Sequence, residues 1–252
     1  MPQTPAPPAP AAADEPARLR QLLKLNRPEL AEALARQRLA THPRELETQL
    51  ALSCALAHLG RYPEALAVAE AAIGLDPESV MAHHYRAYNL AQLGQLAAAV
   101  EAIREALRLW PHSRYFGDQA DWLRQLARYP EAVAAATAGL QLDARAVACL
   151  LWRALAHEAL GHPELADADF QAALEIAPAD AWVRSHRGRT LLRRYQPAAA
   201  TPHLAEALRL QPSWADQLAP LLRQAQLWPG WPRWLASQQE KYQAGLAAKP
   251  GG

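Results

Sequence analysis

Phenylalanine and glycine are both scarce in this chain, with two Phe and eleven Gly in 252 residues. Cysteine is nearly absent too. Cys54 and Cys149 stand alone and far apart, and no CxxC occurs. That excludes a disulfide framework and a thiolate zinc site, and it suits a reducing compartment. No run approaches the roughly 18 consecutive apolar residues that a membrane span needs. Charge of one sign is also missing. The formal net charge is +1, so nothing pulls the chain as a whole toward nucleic acid. Catalytic signatures are absent as well: there is no Gly-rich phosphate loop, no GxSxG and no HExxH. The first residues, MPQTPAPPAPAAADEP, carry neither a basic n-region nor a hydrophobic core. No secretory signal is therefore expected, and cytoplasm is the expected location.

What is present is alanine, which dominates an apolar fraction of 51%. Alanine is the best helix former. Six alanines form a ladder: Ala31, Ala65, Ala99, Ala132, Ala166 and Ala200 are spaced by 34, 34, 33, 34 and 34 residues. Twelve residues after each comes Pro43, Pro77, Pro111, Ala144, Pro178 or Pro212. A fixed period of this length marks one supersecondary unit copied along the chain and stacked into a solenoid.

Residues 46–79 show the unit. Leu50, Leu52, Leu56 and Leu59 have helical spacing, and Gly60 stops that helix. Pro63 sits near the start of the next helix, where its missing N–H does no harm. Ala65, Leu66, Val68, Ala69, Ala72 and Ile73 make a second apolar face, which Asp76-Pro77 ends. Ser53 on the first helix is expected to face Ala65 on the second, because small side chains let two helix axes approach closely.

With turns reading LGRYPEA, LGQLAAA, LARYPEA and LGHPELA, the chain resembles the tetratricopeptide repeat family. Six copies are read, at 12–45, 46–79, 80–113, 114–146, 147–180 and 181–214, the fourth one residue short. The sixth turn, RRYQPAA, has lost its Leu-Gly. The second small position is Ala72, Ala106, Ala173 or Ala207, but Arg38 in the first copy and Gly139 in the fourth. The helix A leucine is kept only as Leu52 and is Arg86, Gln119, Arg153 or Arg187 elsewhere, so that slot is expected to be partly solvent-facing. The resemblance implies an all-α fold, a right-handed α-solenoid of stacked antiparallel helical hairpins. The expected organisation is a disordered Pro/Ala-rich tail (1–13), a six-repeat array (14–214) and a capping segment (215–252). In the last, Ser213 caps a helix over 214–227 that Pro220 can kink, followed by a turn and final helix carrying Trp228, Trp231 and Trp234.

The resemblance also implies a concave groove lined by the first helix of each copy. Carried onto this sequence, the peptide-binding candidates are Tyr88, Arg114, Asp121, Arg124, Trp182, Ser185, Arg189 and Arg193. The lysine and asparagine clamp by which chaperone-binding members hold a terminal carboxylate is missing. Residues 181–214 hold six arginines (Arg184, Arg187, Arg189, Arg193, Arg194, Arg209) against one acid, Glu206. Ser185, Arg189 and Arg193 are spaced i, i+4, i+8, which places them on one stripe. Forked guanidinium groups suit carboxylates. The plainer alternative is a solvated basic face partly neutralised by Glu158 and Asp180. Tyr85, Tyr115, Trp122 and Trp152 are read as packing between repeats.

The sequence therefore points to a non-enzymatic scaffold or adaptor that binds a protein or peptide partner, acidic if the arginine stripe is the site. No cofactor, metal, nucleic acid or membrane span is expected, and no oligomeric state is read from the sequence. The alternative is a recruiting or regulatory subunit of an enzyme or a secretion or assembly machinery, acting through the Trp-rich C-terminal segment.

Overall fold

The computed structural model describes residues 15–227. The expectations for the Pro/Ala-rich tail and for the segment from Trp228 onward fall outside the described residues. Among the described residues there are thirteen α-helices, one 3-10 turn and no strand. The chain divides into two compact units, Met1–Tyr115 and Phe116–Gly252. The first holds α1 (Glu15–Lys24), α2 (Pro28–Thr41), α3 (Leu46–His58), α4 (Tyr62–Leu75), α5 (Val80–Gln92) and α6 (Leu96–Leu109). The boundary falls inside α7 (Ser113–Gln125). The second unit continues with α8 (Tyr129–Leu142), α9 (Val147–Leu160), α10 (Pro163–Ile176), α11 (Ala181–Arg193) and α12 (Pro197–Leu210). A 3-10 turn, Pro212–Trp214, then leads into α13 (Ala215–Leu227). Within the first unit each helix from α1 to α6 packs on the next, and within the second the same holds from α8 to α13. This is the order of stacked helical hairpins.

The alanine ladder lies at the contact within each hairpin. All six of its members are fully buried. Ser53 Oγ donates to the Ala65 carbonyl at 2.8 Å, so the two helices of that hairpin are tied where they are closest. Gly188 of α11 makes the same point by its lack of a side chain. A Cβ built there would lie 2.7 Å from the side chain of Leu204 on α12, which is itself fully buried.

Every hairpin turns through one residue with positive φ: Asn26, Gly60, Gly94, Ala127, Gly161 and Tyr195. The amide two residues after the helix's last turn then returns to a carbonyl inside it, as Arg61 N–H does to Leu56 O at 2.9 Å. Glycine meets this need without steric cost, whereas Ala127 and Tyr195 hold it against the Cβ clash of an L-residue.

Two boundaries differ from the sequence reading. The missing residue is not in the fourth copy. The connection from α6 to α7 has three residues, Trp110 to His112, where those after α4, α8 and α10 have four, so the third copy is the short one. The helix expected over 214–227 begins one residue later, at Ala215. Ser213 is drawn into the 3-10 turn, where its hydroxyl accepts from Gln211 Nε2 at 2.8 Å. Pro220 lies inside α13, which continues through it.

The departures from the repeat pattern have partners. Arg38, at a small-residue position, donates to Glu15 Oε2 and to Glu45 Oε1, each at 2.7 Å. Arg153 makes a bidentate pair with Asp169, at 2.9 and 2.7 Å, and reaches Thr137 at 3.2 Å, so it joins α9 to α10 and α8. Arg187 pairs with Asp167 and lies over the Phe170 ring, 5.2 Å from its centroid. The former leucine slot thus carries an ion pair within the hairpin at Arg153 and one to the preceding hairpin at Arg187.

Ala127→Gly should raise the urea midpoint of unfolding, because it removes a left-handed-region penalty of about 1–2 kcal/mol while adding up to about 1 kcal/mol of backbone entropy. A lowered midpoint would show that the alanine methyl packs usefully in this turn.

Glu45 generates a second expectation. Hydrogen bonds from Arg38 hold its carboxyl down at about 2, against an ordinary value of 4.5, with burial opposing and Thr48 assisting. A depressed carboxylate contributes stability that is complete above the unfolded value and is lost as pH falls from 4.5 toward 2. Glu45→Gln should therefore flatten the fall in urea midpoint across that window, and an unchanged slope would assign the acid sensitivity to other carboxylates.

Candidate functional site

The second unit contains a cavity of about 480 Å³ lined by Arg124, Tyr129, Leu155, Glu158, Ala159, His186, Arg189 and Arg193. Its walls come from the first helices of successive hairpins, with Tyr129 added from the start of α8. α7 supplies Arg124, α9 supplies Leu155, Glu158 and Ala159, and α11 supplies His186, Arg189 and Arg193. Helical spacing of 3.6 residues carries Arg189 and Arg193 down one side of α11. Asp180 starts that helix, with its side chain accepting from Val183 N–H at 3.0 Å.

The cations around this cavity are not equivalent. Arg124 is neutralised by Asp121 at 2.7 Å and lies over the Trp152 ring, 5.3 Å from the centroid. Glu158 is bound by Arg194, whose Nε reaches both its carboxylate oxygens at 3.0 Å. The Arg194 and Glu158 side chains are only 4% and 9% exposed. Arg194 also donates to Asp167 at 2.8 Å and to the Pro163 carbonyl at 3.3 Å. Arg189 and Arg193 have no carboxylate partner among the described residues. Arg189 reaches only the Gln217 side-chain oxygen, at 3.5 Å, and Arg193 only the Thr190 hydroxyl, at 3.1 Å. The Nε atoms of Arg124 and Arg189 are buried without an acceptor among the described residues.

An aromatic row runs beside the arginines. Trp152 meets His186 edge-on at 5.6 Å, His186 stacks with Trp182 at 5.6 Å, and Trp182 meets Trp214 edge-on at 5.2 Å. Trp182 is 58% exposed. Burial, and then the positive charges of Arg124, Arg189 and Arg193, push His186 down to about 4 from 6.5. It is neutral at pH 7.

Of the candidates read from the sequence, the structure gathers Arg124, Arg189 and Arg193 around one cavity, with Asp121 on Arg124 and Trp182 against the wall residue His186. Ser185 is buried, so it presents no surface to a ligand. Tyr88 and Arg114 belong to the first unit, where both are exposed. Of the acids expected to neutralise the basic face in part, Glu158 takes Arg194 of that face, not Arg189 or Arg193, and Asp180 caps its own helix. His186 and Trp152 escaped the sequence reading as site residues. They are 34 residues apart, one repeat period, and that coincidence was the available signal.

The two cysteines behave as small apolar groups. Burial pushes Cys149 up to about 11 and raises Cys54 as well. Among the described residues no three His, Cys, Asp or Glu gather as they would around a metal ion, and no helix is long and apolar enough to cross a membrane.

Two family models, both described as tetratricopeptide repeat, match the chain. One matches at residues 17–80 and 50–114, the other at 147–180. Together they cover just over half of it. Protein FlbA of Caulobacter vibrioides is 36% identical over 104 residues, which are 38% of this chain and 17% of that protein. The chain thus spans less than a fifth of that relative's length. Among solved structures, a tetratricopeptide repeat protein from Parabacteroides merdae is similar with a TM-score of 0.65 at 14% identity, over 92% of this chain and 98% of that one. YrrB, a tetratricopeptide repeat protein with an unusual peptide-binding site, gives a TM-score of 0.54 at 18% identity, over 76% of this chain and 97% of its own.

The His186 environment is measurable directly. Its ring resonance should titrate near pH 4, where an unperturbed histidine titrates near 6.5. Between those values the unfolded chain binds a proton that the native chain does not, so stability should fall as pH drops through the window. A midpoint near 6.5 would mean that the ring is open to water and little affected by the three arginines.

Proposed function

The chain belongs to the tetratricopeptide repeat family, and on that premise we propose that it is a non-catalytic interaction scaffold whose second unit holds an acidic segment of a partner protein in the arginine-lined cavity. The observation that carries this reading is the pair Arg189 and Arg193, two guanidinium groups without a carboxylate partner among the described residues, both in the wall of one recess. Guanidinium groups are weakly hydrated forks suited to carboxylates. Leaving two of them beside Leu155 and His186 without an anion forgoes the charge-assisted bonds that such a recess allows. Trp182 supplies the adjoining apolar shelf, with one face of its ring on His186 and more than half of its surface in solvent. An acidic residue flanked by an apolar one matches this combination of charge and ring. YrrB, of similar fold, is a protein with a peptide-binding site, which agrees with the reading. In the first unit, exposed Tyr88 and Arg114 are proposed as a separate partner contact.

The test is fluorescence polarisation with Asp- and Glu-rich peptides and their Asn and Gln counterparts. The acidic peptides should bind more tightly, and salt should weaken them. Replacing both arginines (Arg189→Ala with Arg193→Ala) should cost about 1.5–3 kcal/mol for each charge-assisted hydrogen bond lost. The helical circular dichroism signal should stay unchanged, since neither arginine makes an ion pair among the described residues that the fold would lose. Equal affinity for acidic and amidated peptides, or full retention of binding in the double variant, would overturn the reading.

A further inference from the structure

We infer that the anion taken by this cavity is a doubly charged phosphate monoester, held by Arg189 and Arg193 with Arg124 completing the cradle. The inference rests on the reading of the cavity as a partner site and narrows its ligand.

Charge is the first argument. Among the ionisable groups in the wall, Arg124 is cancelled by Asp121 and Glu158 by Arg194, and His186 is neutral at pH 7. What remains is the charge of Arg189 and Arg193, two positive units in one recess. A single carboxylate would leave half of it uncompensated. A phosphate monoester carries about −1.5 to −2 at pH 7 and meets it in full.

The second argument is the number and direction of donors. Among the described residues the Nε–H groups of Arg124 and Arg189 have no acceptor, and the two guanidinium groups belong to different helices, α7 and α11. A carboxylate offers two oxygens in one plane. A phosphate monoester offers three oxygens in a tetrahedral array, so donors arriving from separate directions can each find one. Arginine forks match phosphate bidentately as they do carboxylate, so the larger charge is met without loss of geometry.

The remaining wall fits the ester side. Leu155 and Ala159 line the same cavity with apolar side chains, beside the Tyr129 ring. The groups facing His186 are Arg124 from α7, Trp152 and Glu158 from α9, and Trp182, Arg189 and Arg193 from α11. With its two rings as neighbours and the arginines around it, the imidazole reports directly on any anion that enters. A dianion beside it favours the imidazolium and raises its titration midpoint. The phosphate monoester can come from a phosphorylated side chain of a protein partner or from a free small phosphate ester, and the measurement separates the two.

The experiment uses the full chain, with the His186 ring resonance and calorimetry as readouts and four probes. These are inorganic phosphate, a phosphoserine peptide with a flanking apolar residue, the same peptide with serine, and the same peptide with glutamate. Inorganic phosphate should shift the His186 resonance saturably and raise its midpoint. The phosphoserine peptide should bind about tenfold or more tighter than the glutamate peptide, and Arg189→Ala or Arg193→Ala should each weaken it by about tenfold or more. Arg209→Ala, which removes an exposed arginine outside the cavity, should leave binding unchanged. A phosphopeptide much tighter than inorganic phosphate identifies a modified protein as the source, and equal affinities identify a free ester; either supports the phosphate site. Should the glutamate peptide bind as well as the phosphopeptide while phosphate leaves His186 unmoved, this inference falls and the acidic-partner reading stands. Binding of neither acidic nor phosphorylated peptide overturns both.

Discussion

Each hairpin depends on a small residue of its second helix, fully buried where the two helices pack. Ala31, Ala65, Ala99, Ala132, Ala166 and Ala200 are all fully excluded from solvent at that contact. Helices this close must be joined by an abrupt turn, and a single left-handed residue supplies it in all six hairpins. Bulk is displaced to the flanks, where Leu56, Ile103, Phe170 and Leu204 are fully buried. Stability of such an array is a sum over neighbours, so the methyl-sized contact recurs as the element on which every copy relies.

Much of this was legible because it is local and periodic. The ladder spacing, the prolines near the starts of second helices and the glycines at the turns are short-range signals, and the helices fall where they point. The 33-residue interval from Ala99 to Ala132 showed that one residue was missing, but both placements of the gap keep the alanines in phase. Only the backbone shows that it lies between α6 and α7. Ala127 and Tyr195 at the turns were not recognisable from their side chains, since a left-handed conformation is imposed on them by the return of the chain.

The site was legible in one dimension. The stripe of Arg189 and Arg193 follows from helical spacing, and so does their proximity to Trp182. Which arginine would take Glu158 could not follow from spacing, because Arg189, Arg193 and Arg194 lie within six residues of one another. The outcome depends on where α11 ends. Arg194 is its C-terminal cap residue, and from there its side chain reaches α9 and α10, leaving the other two at the cavity. The sequence points to Trp152 as a packing group and does not single out His186. They do pack, against each other, and that contact places the imidazole in the cavity wall.

Arg194 and Glu158 also constrain how this sequence can change. Two charges this deeply enclosed tolerate each other and tolerate little else. Losing either one strands its partner in a medium that cannot solvate it, at about 3–5 kcal/mol, whereas an apolar pair of similar volume could occupy the same space at little or no cost. Between those two stable solutions lies no favourable single step. Sequences descended from this one should therefore keep both residues or have exchanged both, and a descendant carrying only one should show a compensating change at Asp167, the other carboxylate within reach.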